Sequence, residues 1–132
     1  MKHIVVNRED IDTIWDDVRE LIKRTNDSLL TEHDVYKFLK DGSYTLWIIT
    51  DESNKIVTAL TLTLLQYPRD IACKIVTCGG SRMKEWLDEF LEKVEVFAKE
   101  RGCSYIDIDG RSGWSKVLKD FNVDYYTLRK KI

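Results

Sequence analysis

The segment IVTCGGSRMKEWL, Ile75 to Leu87, holds the densest set of residues able to do chemistry. It runs from an apolar, β-like stretch through Gly79 and Gly80 into a strongly patterned helix. Glycine permits positive φ and leaves amide N–H groups uncovered, so a glycine pair opening a helix has what an anion site needs. It also has what any strand-to-helix corner needs, and the residues alone leave both readings open. Cys78 stands beside the same helix start, where a thiol pKa can be lowered. No histidine partner is provided for it, so we expect a small buried packing residue. Asp107 and Asp109 alternate with Ile106 and Ile108 in YIDID and share one face, either as proton-accepting carboxylates or as the wet face of an edge strand. His33 is a further candidate base, or simply a solvated residue in the first turn of a helix. Trp114 either packs in the core or lines a binding surface.

The elements that must position these residues follow from periodicity. KHIVV predicts a short first strand, and Asn7 with Asp10 resembles a capping arrangement. Ile11, Ile14, Trp15, Val18, Leu21 and Ile22 then recur at spacings of three and four, which predicts a helix ending near Arg24. Thr31 with Asp34 opens a second helix that Gly42 closes. YTLWIIT, KIVTALTLTLLQY and IACKIVTC, separated by the short turns Asp51–Asn54 and Tyr67–Asp70, predict a three-stranded antiparallel meander. After the glycine pair, Met83 to Ala98 form the clearest amphipathic helix, ended by Arg101-Gly102. SYIDID predicts a strand, Gly110 and Gly113 bracket a turn into a short helix with Trp114, Val117 and Leu118, and VDYYTLRKK predicts a last strand.

At 132 residues the chain fits one domain, 1–132, large enough to bury a core without staples. The charge of −2, from 21 basic and 23 acidic residues, supplies no field for nucleic acid or an anionic membrane. The basic Arg129-Lys130-Lys131 reads as a solvated strand end. Cys73, Cys78 and Cys103 lack CxxC spacing and are odd in number, which predicts reduced thiols, a cytoplasmic setting and no metal. MKHIVVNRED has no apolar leader region, so we expect no export.

The element order β-α-α-β-β-β-α-β-α-β, with a glycine turn joining a central strand to the longest helix, resembles the GCN5-related N-acetyltransferase (GNAT) fold. That fold is α/β (α+β), with a mixed, mostly antiparallel central sheet flanked by helices. Tyr67-Pro68-Arg69, Cys78-Gly79-Gly80 and Gly110-Arg111-Ser112-Gly113-Trp114, in this order, are similar to small GNAT-like proteins encoded by tailed bacteriophages. The resemblance implies that acetyl-CoA pyrophosphate would meet the amides of Cys78, Gly79, Gly80, Ser81 and Arg82, with Arg82 and Lys84 as counter-charges. Backbone groups of Ile75, Val76 and Thr77 would hold the pantetheine arm and polarise the thioester. It implies attack by an amine substrate, with Asp107 or Asp109 as base. The tyrosine acid that family enzymes often carry is replaced by Val117 or Leu118, which leaves Tyr125 or Tyr126 for that role. The glycine signature is shorter than the family's usual one. Two functions follow as expectations: an acetyl-CoA-dependent N-acetyltransferase, or a catalytically silent GNAT-like phage protein serving as a virion component or binding a host protein in the host cytoplasm.

Overall fold

The computed structural model describes residues 1–25, 29–109, 114 and 116–132. Strand β1 (Lys2–Val6) leads through a single 3-10 turn (Arg8–Asp10) into α1 (Ile11–Lys23) and α2 (Glu32–Asp41). Strands β2 (Tyr44–Thr50), β3 (Ile56–Gln66) and β4 (Ile71–Gly80) follow, then α3 (Met83–Glu100) and β5 (Tyr105–Ile108). The sheet order is β1-β2-β3-β4-β5. Its first three pairings are antiparallel and β4–β5 is parallel, because the chain crosses over through α3 between those two strands.

Alternation along the strands splits the apolar side chains between two layers. Trp47, Ile49, Leu60, Leu62, Cys73 and Ile75 pack against Trp86, Phe90, Val94 and Phe97 of α3. Leu46, Ile48 and Ala59 pack on the other face against Ile11, Val18 and Ile22 of α1 and Val35 and Leu39 of α2. Each fully buried aliphatic side chain contributes about 1.5–3 kcal/mol relative to exposure, so both layers hold the sheet firmly. Trp47 meets Phe90 and Phe97 edge-on, with ring centroids 5.5 Å apart in each pair.

The helix ends show where local sequence acts directly. The Thr31 side chain accepts from the Asp34 amide at 3.3 Å, and the Asp34 carboxylate accepts from the Thr31 amide at 3.0 Å. This reciprocal pair starts α2, and Gly42 at φ +86° ends it. Asn7 makes no side-chain cap; the chain instead winds through the 3-10 turn before α1.

Two expectations change. Gly79 and Gly80 are the last residues of β4, paired with Ala59 and Thr58, so the corner itself falls on Ser81 and Arg82. Residues 121–132 carry neither helix nor strand, so the strand expected at VDYYTLRKK is absent: its alternation joins no sheet ladder among the described residues. Of the preceding segment, Gly110 to Gly113 lie outside the described residues. Ser115 also lies outside them; the amides of Val117 and Leu118 donate to the Trp114 carbonyl at 3.1 and 2.9 Å. Leu118 is buried, and Trp114 and Phe121 pack against the α3 layer.

Candidate functional site

Strands β4 and β5 pair only from Ala72↔Tyr105 to Ile75↔Ile108. Beyond that point β4 continues for five residues with no strand pairing on this side among the described residues, and a cleft of ≈ 290 Å³ opens. Ile75, Val76, Thr77 and Cys78 form one wall, Ile108, Asp109 and Trp114 the other, and Arg24 and Thr25 close the end. At the mouth of the cleft the β3–β4 register slips: Thr61 pairs with Thr77 and Leu62 with Ile75, so Val76 has no partner on β3. Such a bulge re-aims backbone groups locally. The Thr61 and Thr77 hydroxyls, 2.7 Å apart, satisfy each other beside it.

The corner from β4 into α3 is built by close packing. A Cβ on Gly79 would lie 1.8 Å from the Leu21 carbonyl oxygen, so glycine here lets α1 rest directly on β4. A Cβ on Gly80 would lie 2.3 Å from the Val57 oxygen. The next peptide is gripped from three sides: the Ser81 amide donates to Val57 O at 3.0 Å, and the Ser81 carbonyl accepts from Trp86 Nε1 at 2.8 Å and Thr58 Oγ1 at 3.1 Å. Arg82 then adopts the left-handed conformation, φ 61° and ψ 33°, and α3 begins. A left-handed residue followed by helical ones turns successive amides the same way, the geometry of an anion nest. Among the described residues the amides of Arg82, Met83 and Lys84 have no acceptor, whereas that of Ser81 is already used.

Charge around this corner differs from expectation. The Arg82 guanidinium is bound to Glu85 through two contacts of 2.6 and 2.9 Å and lies 3.8 Å from Asp51. Glu85, then desolvation in opposition, sets its pKa, which stays raised. Lys84 is exposed and makes no ion pair among the described residues, so it is the more available counter-charge. Burial pushes the Cys78 thiol up to about 12, so this residue is an inert packing group rather than a nucleophile.

The sequence-predicted acids and bases separate. Asp109 lines the cleft and pairs with Lys74 Nζ. Asp107 lies one step back along the same face and accepts from the Tyr67 hydroxyl at 3.1 Å. Desolvation, followed by hydrogen bonding to Asp107 and Tyr125, pushes the Tyr67 phenol up to about 12. Tyr125 therefore reaches this cluster rather than the cleft lining, and Tyr126 is 81% exposed. His33 lies elsewhere, in a separate ≈ 340 Å³ hollow between α1 and α2. There Asp12 is taken by Lys40 and Tyr36, and Glu32 by Arg19, so the charges are largely spent internally.

Arg24 and Thr25, which line the cleft, and Lys74 and Tyr67, which partner Asp109 and Asp107, were not among the candidate site residues read from the sequence. Lys74 did leave a signal, a single charge within the apolar run IACKIVTC, where an unpaired lysine is disfavoured. The other three are brought in only by the fold.

No family model matches the chain, and no curated protein matches it. Solved structures do. A probable acetyltransferase superposes over 100% of this chain and 99% of its own at 14% identity, with a TM-score of 0.75. A GNAT family acetyltransferase from Staphylococcus aureus covers 99% and 98% at 17% identity, TM-score 0.70. A ribosomal-protein-alanine N-acetyltransferase from Brucella melitensis covers 100% of both chains at 10% identity, TM-score 0.72. At such identities the likeness establishes the fold, and the fold is that of the GNAT acetyltransferases.

Proposed function

We propose, with the GNAT fold as premise, that this chain is an N-acetyltransferase that moves an acetyl group from acetyl-CoA to a primary amine. The observation that carries this reading is the cleft where β4 leaves β5 at Ile75 and Ile108, lined along β4 as far as Cys78, with unpaired amides a few residues further along the chain at the start of α3. An elongated, anionic, amide-bearing ligand fits that combination: open strand edge for the arm, free N–H groups for the phosphates.

In this reading the amides of Arg82, Met83 and Lys84 and the Lys84 ammonium would hold the pyrophosphate. The strand edge from Val76 to Cys78 would bind the pantetheine arm. The bound coenzyme supplies an acyl group already activated as a thioester. Asp109, on the cleft wall, accepts the proton that the attacking amine must lose. Trp114 and Ile108 exclude water from the same wall. Calorimetric titration tests the reading: saturable heat and a raised melting temperature with acetyl-CoA are expected, and neither at millimolar coenzyme would overturn it.

One observation favours a second reading. At the helical turn where GNAT enzymes often carry a tyrosine acid, this chain has Val117 and a Leu118 that is only 4% exposed. Neither can give a proton to a departing thiolate. A silent GNAT-like phage protein, in a virion or on a host factor, accounts for that, and a null titration would select it.

A further inference from the structure

One amine of the chain already stands beside the cleft. Lys74 and Asp109 lie on the sheet face opposite Ile75 and Ile108, at the point where β4 and β5 part, and the Lys74 Nζ pairs with the Asp109 carboxylate. By register Lys74 sits opposite Asp107, not Asp109. The nearer carboxylate is occupied by the Tyr67 hydroxyl at 3.1 Å, so the lysine leans along the strand toward the open end. Its side chain is 26% exposed, against 48% for Lys93 and 71% for Lys99 on α3.

We propose that Lys74 is a self-acetylation site, its Nζ being the first acceptor of an acetyl group presented in the β4–β5 cleft, with Asp109 as base. The proposal rests on the coenzyme reading given above. In the step, the Lys74 ammonium gives one proton to Asp109, which passes it to water. The nitrogen lone pair forms the N–C bond to the acetyl carbonyl carbon, the C–S bond breaks, and its electron pair leaves on sulfur. The second nitrogen proton ends on that thiolate. Acetyl-CoA and a lysine ammonium thus yield N-acetyl-lysine, a free thiol and one proton. Acetylation removes the lysine charge. Asp109 then faces the cleft mouth as an unpaired carboxylate, a seat for an external ammonium, so the modification primes the site for cationic acceptors.

Peptide mapping by mass spectrometry of the full chain after timed incubation with acetyl-CoA tests this, with calorimetric binding measured on the same preparation. Lys74 is expected to react at least about 100-fold faster than Lys93 and Lys99, the acceleration of a positioned base and a held geometry. Asp109→Asn should bring it down to their rate. Tyr67→Phe frees Asp107 to compete for the lysine and should slow it by roughly threefold or more. Coenzyme binding with Lys74 no faster than Lys93 overturns the proposal and leaves the coenzyme reading standing; no coenzyme binding removes both. A coenzyme-free check is nitrogen-15 NMR of the lysine ammonium groups. Lys74 should show slowed proton exchange that Asp109→Asn abolishes, and a Lys74 signal exchanging as fast as that of Lys99 would also overturn it.

Discussion

Replacing Gly79 by alanine probes how the cleft is held. The added Cβ would sit 1.8 Å from the Leu21 carbonyl oxygen, 2.7 Å from its carbon and 3.1 Å from Thr25 Cγ2. Contacts below 3.0 Å are not tolerated, so the end of α1 must retreat by about 1.2 Å. Backbone is the obstacle, and no rotamer change relieves it. The retreat loosens Ile22 and Val18 against Ala59 and Leu46, and overpacking of this kind costs about 1–3 kcal/mol or more. Taking about 3 kcal/mol for a backbone clash, a domain of this size should lose roughly 10 °C in melting temperature. Arg24 and Thr25, which close the cleft, ride on the same segment, so coenzyme affinity should fall too. Gly102→Ala is the control. Nothing lies within 4 Å of its added Cβ, and only its φ of +78° opposes the change, a penalty of about 1–2 kcal/mol. Circular-dichroism melts of both variants decide. A Gly79→Ala protein melting with the wild type, or above Gly102→Ala, would refute the reasoning that α1 rests on β4 through this glycine.

Two further outcomes are expected. Trp86→Phe keeps the aromatic packing against Phe90 but removes the indole donor to the Ser81 carbonyl, leaving only Thr58 Oγ1; a loss of about 1 kcal/mol in urea unfolding is expected, together with weaker acetyl-CoA binding by calorimetry. His3 has a fully buried side chain, and neither ring nitrogen has a hydrogen-bond partner among the described residues, although Glu89 Oε2 lies 3.3 Å from Nε2. Burial lowers its pKa, opposed by Glu89 and assisted by Lys93 and the N-terminus. Below the unfolded value of 6.5 the unfolded chain therefore binds the proton first, and stability should fall as pH drops below about 6.5. The carboxylates with lowered pKa, such as Asp34 and Asp51, act below 3.8, well under that onset. Thermal melts across pH 5 to 7 should show this slope in the wild type and a flatter profile in His3→Phe.

Local pattern carried the elements well. YTLWIIT is β2 residue for residue, and β3 differs from the expected run by one residue at each end. The α2 cap was legible because both of its partners lie within four residues. What was not legible depends on partners far along the chain. Gly79 and Gly80 look like a turn until Ala59 and Thr58 pair with them, and the slip at Val76 exists only relative to Thr61 and Leu62. Tyr67 and Asp107 are 40 residues apart, so their contact has no signature in either neighbourhood. The alternation at VDYYTLRKK misled for the same reason: period two records compatibility with a sheet, not the presence of a neighbour. Asp109 was read onto the correct face, while its lysine partner on β4 required the parallel register of β5.

The short β4–β5 ladder has a mechanical consequence. β5 holds the sheet through four residue pairs, against five or more at every other strand pairing, and reaches it only after the long α3 crossover. Few amides and a distant closure make it the segment with the lowest local-unfolding free energy in the sheet. Its ladder amides should lose hydrogen-exchange protection before those of β2 and β3. The wall that sets the width of the cleft is thus the most compliant part of the sheet, so the cleft can widen around a ligand while the β2–β3–β4 platform stays fixed.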